Sequence, residues 1–184
     1  MSESPPKKHK AIAIPVVLNE QGEPTFLVVR DRRFKDWIFV TGGCRRREIT
    51  NPIRTALREL EEETRGVIAM KRGEYSTYQF TVPEEPGSAV ELVYNVFIFF
   101  AEWDENTRAD MIKKFYEEKQ KYLVAKLNKR PIKRTFDEND HMSFEGLSTF
   151  RERKQWDLIE RNVLRSGKFT ECLETRDRKT FAFK

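Results

Sequence analysis

Four glutamates lie close together in "TALRELEEETRG" (residues 55–66), and three of them, Glu59, Glu62 and Glu63, have the spacing i, i+3 and i+4. On a helix that spacing puts their carboxylates on one face, where like charges repel. Arg58 pairs with Glu62 at i+4, but one arginine cannot neutralise the group. A hard divalent cation can: converging carboxylate oxygens suit Mg²⁺ or Mn²⁺, which keep water and complete their shell with substrate phosphates. The competing account is an acidic helix face left to solvent. The segment ahead of the helix weighs against that account, because an apolar run "DWIFVTGG" ends in the pair Gly42–Gly43 and a loop then leads into the helix. That order brings backbone and phosphates against a metal-bearing helix, with Gly42 and Gly43 as phosphate-binding candidates.

The elements that must position these residues are legible around them. "NPIRTALRELEEETRG" is the clearest helix, with Pro52 in its first turn, Ile53, Leu57 and Leu60 at helical spacing, and Gly66 as the stop. "AIAIPVVL", "PTFLVV" and "EYSTYQFTV" read as strands, and "VELVYNVFIFFAEW" as a strand near the sheet centre. "ENTRADMIKKFYEEKQKYLVAKL" reads as a helix with a stripe of Met111, Phe115, Tyr122 and Leu123. "HMSFEGLSTF" reads as a strand and turn. "RKQWDLIERNVLRSG" reads as a helix with Trp156, Ile159 and Val163 inward and Gly167 closing it. The last segment is too mixed to assign.

Composition narrows the classes. The chain has 184 residues, a net charge of +5, two cysteines and two histidines. That excludes a disulfide scaffold, a zinc site of ordinary spacing and a histidine-dependent triad. The length suits a single domain over 11–184 behind a disordered basic tail at 1–10. No apolar run can span a membrane, and "MSESPPKKHK" lacks the apolar region of a signal peptide, so the expected location is cytoplasmic, with "PPKKHK" allowing nuclear import.

"GGCRRREITNPIRTALRELEEETRG" resembles the signature of the Nudix hydrolases, Gly-x5-Glu-x7-Arg-Glu-U-x-Glu-Glu-x-Gly-U with U aliphatic, and "WIFVTGG" is similar to the strand that precedes it. Arg58-Glu59-Leu60-x-Glu62-Glu63 matches the second half without a gap. The chain is one residue too long between Gly43 and Arg58, which leaves Glu48 nearest to the first glutamate. Arg65 stands where the pattern has glycine, and Thr41 where the family often has proline. The resemblance implies an α/β/α sandwich around a mixed sheet. It also implies metal-dependent hydrolysis of a nucleoside diphosphate linked to another group. Glu59, Glu62 and Glu63 would hold Mg²⁺ or Mn²⁺, Arg58 would orient them, and the general base would be a signature glutamate or one of Glu138, Asp140 and Glu145, with Glu138 preferred.

Substrate has to be read elsewhere. Arg45, Arg46 and Arg47 stand beside the helix, placed for a polyphosphate. A basic helical insertion at about 104–135 ends in Lys126, Lys129, Arg130, Lys133 and Arg134, which could track an RNA backbone. A solvated helix face is the plainer account. This organisation is similar to the mRNA-decapping branch of the family found in large DNA viruses, so capped RNA is the first expected partner. A small nucleotide such as ADP-ribose, a dinucleoside polyphosphate or a nucleoside triphosphate is the second. A non-catalytic RNA-binding module is the third. Trp37, Phe99 and Trp103 could stack on a cap, although core positions suit them better.

Overall fold

The computed structural model describes residues 4–184. Its centre is a mixed sheet of eight strands: β1 (Lys7–Leu18), β2 (Pro24–Asp31), β3 (Trp37–Ile38), β4 (Val40–Gly43), β5 (Arg72–Pro83), β6 (Glu91–Phe100), β7 (Asn139–Gly146) and β8 (Lys179–Ala182). The main path runs β3-β2-β1-β6-β5-β8, with β4 added to β1 and β7 to β2. β1 and β6 are parallel and the other pairings are antiparallel. The long apolar segment expected at the centre is β6, which is paired on both edges.

Side-chain alternation along these strands builds two cores. Ile12, Ile14 and Val16 of β1 join Tyr94, Val96 and Ile98 of β6 on one face. That face is covered by α3 (Leu147–Arg151), by α4 (Asp157–Ile159), which runs on as a π-helical turn (Glu160–Leu164), and by α5 (Gly167–Glu174). Ala11 and Ala13 face the other way with Phe97 and Phe99, under Ile53, Ala56 and Leu60 of α1 (Ile53–Glu63) and Phe115 of α2 (Glu105–Leu127). The small alanines let α1 sit close to the sheet. The result is the α/β/α sandwich around a mixed sheet.

Several expectations change. The strand begins inside the segment expected to be a tail, because Lys7 to Lys10 pair in register with Glu91 to Tyr94. Backbone pairing needs no apolar side chains, and Lys8 also reaches Glu84 at 2.6 Å. The first three residues of that tail lie outside the described range. Of the stripe expected on α2, Phe115 is buried but Leu123 is exposed. Gly167 opens α5 rather than closing the preceding helix, with Ser166 as its cap residue. Among the described residues no helix is long and apolar enough to cross a membrane.

Candidate active site

Arg58, near the middle of α1, organises the loop and helix around it. Its Nε and Nη2 donate to both oxygens of Glu48 at 3.0 and 2.9 Å, and Nη2 also reaches the Gly43 carbonyl at 3.1 Å. Nη1 donates to Glu59 at 2.9 Å and to Glu62 at 3.3 Å, so all five N–H groups are used. The expected pairing with Glu62 is therefore present, as one part of a larger clamp. Glu48 sits on a 3₁₀ turn (Arg46–Glu48) and also accepts from the Arg45 amide at 2.9 Å and the Thr55 hydroxyl at 3.1 Å. The hydrogen bonds from Arg58 pull its pKa down to about 2, and Glu48 in turn pushes the Arg58 guanidinium up. The extra residue in the loop is absorbed by this turn, which returns Glu48 to Arg58.

With Arg58 fixed, Glu59 and Glu63 project from α1 toward the end of β4. A Cβ on Gly42 would stand 2.1 Å from the Glu59 carboxyl carbon, so only glycine leaves room for that carboxylate. Glu138, between a second 3₁₀ turn (Arg134–Asp137) and β7, closes the group, and one carboxylate oxygen from each of Glu59, Glu63 and Glu138 lies within 4.8 Å of the others. Burial and then the neighbouring acids push Glu63 well above the ordinary carboxylate range. Burial pushes Glu59 up to about 7, against the pull of Arg58 and with a further push from Glu62. Glu138 is raised by partial burial, Glu62 and Asp31.

These residues fit a hard divalent cation. The donors are all oxygens, three carboxyls crowd one point, and the buried Oε2 of Glu63 has no hydrogen-bond partner. Glu62 stands one step out, with one oxygen on Arg58 and the other 3.7 Å from Arg45.

The remaining candidates separate cleanly. Asp140 is raised by burial, but Arg30 (2.9 and 2.8 Å) and Lys35 (2.7 Å) outweigh that and hold it well below the usual range. Glu145 accepts from Arg153 at 2.7 Å and from Ser143 at 3.1 Å. Both are structural ion pairs away from the cluster, so of the three later acids only Glu138 joins it. Arg45, Arg46 and Arg47 are exposed on the rim. Lys126, Lys129, Arg130, Lys133 and Arg134 are exposed too, and among the described residues none of the five forms an ion pair. Their segment feeds directly into the turn that carries Glu138.

The sequence reading missed a cavity of about 450 Å³ that opens beside the cluster. Glu63, Glu138 and Gly42 line it together with Phe34, Trp156, Ile38, Asp31 and Asp36. Asp31 ends β2, and Phe34 and Asp36 lie on the β2–β3 loop that follows, which has no periodicity to mark it, although "DRRFKDW" mixes charge with aromatic rings. The three aromatics named from sequence lie elsewhere. Phe99 is fully buried, Trp103 packs edge-on to Phe144, and Trp37 stacks on His141 with Arg153 4.1 Å from its ring centre.

Comparison with known proteins places the chain in a family. The NUDIX domain model matches residues 7–138. No curated protein sequence is recognisably similar. Among solved structures, the Nudix hydrolase RenU of M. smegmatis is 11% identical with a TM-score of 0.50, over 80% of this chain and 76% of that one. A MutT/nudix family protein from Enterococcus faecalis is 14% identical with a TM-score of 0.48, and this chain, 79% covered, spans 46% of its length.

Proposed function

This chain belongs to the Nudix family and is a Nudix hydrolase, a pyrophosphohydrolase; on that premise we propose that it cuts the triphosphate bridge of the mRNA cap, with Mg²⁺ or Mn²⁺, releasing 7-methylguanosine diphosphate and RNA with a 5′-monophosphate. The observation that supports capped RNA best is the cavity beside the carboxylate cluster. Its aromatic rings, Phe34 and Trp156, and its carboxylates, Asp31 and Asp36, suit a flat base that carries positive charge and N–H donors, as 7-methylguanine does. The exposed cations of 126–134 lie on the segment leading to Glu138, where a following RNA chain would need counter-charge.

Glu59, Glu63 and Glu138 would hold the ion, and Glu62 would answer to a second one or to its water shell. When bound, the ion offsets pyrophosphate charge and lowers the pKa of a bound water. Arg58 keeps the α1 carboxylates in place and takes no proton, since Glu48 holds it charged. Arg45, 3.7 Å from Glu62, and its exposed neighbours Arg46 and Arg47 would offer counter-charge to the outer phosphates. With one carboxylate oxygen on the ion, Glu138 would have the other free to take a proton from the attacking water, since its side chain has no hydrogen-bond partner among the described residues.

A small nucleotide is the second reading. It is favoured by α2 itself, along which Lys113, Lys114 and Lys121 are already paired with Glu117, Asp110 and Glu118. Side-by-side hydrolysis of cap-labelled RNA, free cap dinucleotide, ADP-ribose and a dinucleoside tetraphosphate separates the two. Preferential cleavage of the RNA supports decapping, and preferential cleavage of a free nucleotide transfers the chain to the second reading. RNA binding without any turnover would leave a non-catalytic module.

A further inference from the structure

We propose that Arg65 is a positioning residue that sets Glu138 against Glu59 and Glu63; the role rests on the reading of that cluster as the hydrolytic metal centre. Arg65 follows the C-cap of α1 with a φ of 59°, in the left-handed region that favours glycine. An arginine there is disfavoured by its backbone, yet it is 3% exposed, so its side chain is what the position uses.

The guanidinium reaches under α2 to the segment that carries Glu138. Nη2 donates to the Asp137 carboxylate at 3.1 Å and to the Asn139 carbonyl at 2.8 Å. Nε and Nη1 are buried without an acceptor, and the rings of Phe115 and Tyr122 lie 5.3 and 5.7 Å from Cζ. Arg32 completes the hold: its side chain reaches Asp137 at 3.1 Å and its amide donates to the Glu138 carbonyl at 3.0 Å. Asn139 Nδ2 donates to the Glu63 carbonyl at 3.3 Å, which joins the segment to α1.

Residues on both sides of Glu138 are therefore anchored to one buried cation, while the Glu138 carboxylate makes no hydrogen bond among the described residues. Three carboxylates at this separation repel, so Glu138 stays in the cluster only because its backbone is held there. A purely structural Arg65 would plug the contact between α1 and α2 and leave the cluster indifferent to its loss.

The test replaces Arg65 by glycine, which suits the left-handed backbone, and reads the metal-free protein first. In Arg65→Gly, amide hydrogen exchange at 137–139 should accelerate. Calorimetric titration should show Mn²⁺ affinity falling by roughly 10-fold or more, the range set by groups that orient ligands. Adding Glu138→Gln should then cost nothing further, and Arg65→Lys should not rescue, since one ammonium cannot serve both acceptors. If Arg65→Gly fails to fold, Asp137→Asn leaves the helix contact intact and should show the same loss. Affinity within twofold of wild type, unchanged exchange, or independent losses from the Arg65 and Glu138 substitutions would overturn the proposal. A wild type whose Mn²⁺ binding needs Glu138 and Arg65 but which cuts none of the nucleotides would keep the positioning role and sink the hydrolase reading instead.

Discussion

At the scale of single residues, the site depends on close contacts that hold a few side chains in place. Gly42 shows this most directly. A methyl group there would fall on the Glu59 carboxylate, and because that is the end of a flexible side chain it would yield without disturbing the sheet. We expect Gly42→Ala to melt close to wild type while losing metal affinity about 10- to 100-fold, the scale of changes that misplace a ligand; calorimetric titration with Mn²⁺ checks it. An unchanged affinity would mean that Glu59 is not a ligand. The sequence displays Arg58, Glu59, Glu62 and Glu63 through their helical spacing alone. It does not display which of them converge. Glu62 turns to Arg58 and Arg45, and the third member of the cluster comes from Glu138, 75 positions beyond Glu63, where only the fold can place it.

At the scale of elements, α1 carries unbalanced charge whose cost depends on pH. Glu59 binds its proton more tightly in the folded chain, with a pKa of about 7, than its ordinary 4.5, and Glu63 and Glu138 shift the same way. A raised carboxyl adds stability that is fully present below the ordinary value and is lost as pH climbs through the folded one. Glu48 works in the opposite sense: held near 2 by Arg58, it stabilises above about 4.5 and stops doing so as pH falls toward 2. The metal-free protein should therefore lose melting temperature by several degrees between pH 5 and pH 8. Mg²⁺ or Mn²⁺ should restore it at pH 8, and Glu59→Gln should flatten the decline. Thermal melts in chelator, across that range, decide this; a melting temperature that rises to pH 8 in wild type would contradict it. β1, β2, β5, β6, α1 and α2 are marked in the sequence by alternation or helical period. The two 3₁₀ turns are not, and they are what return Glu48 to Arg58 and aim Glu138.

At the scale of the whole molecule, charge is distributed unevenly around the cluster. Residues 110–121 of α2 pair their charges within the helix, while the cations from Lys126 to Arg134 and the Arg45–Arg47 run remain exposed. If that surface follows RNA, neutralising Lys129, Arg130, Lys133 and Arg134 should raise KM for capped RNA and leave the free cap dinucleotide alone. The slope of log affinity against log salt should then shrink by roughly 0.7 for each phosphate that no longer meets a cation. Equal effects on both substrates would assign the segment to stability rather than to RNA. The basic run is plain in the sequence, but the cavity beside the cluster is not, because Phe34 and Trp156 are brought together from opposite ends of the chain by the sheet.

The measurement that bears most directly on the account is the release of label from cap-labelled RNA in Mg²⁺, wild type beside Glu63→Gln. The account predicts 7-methylguanosine diphosphate as the product. It also predicts a fall in Glu63→Gln larger than the roughly 100-fold that losing an orienting group costs. Turnover that survives the substitution, or a different labelled product, would contradict it.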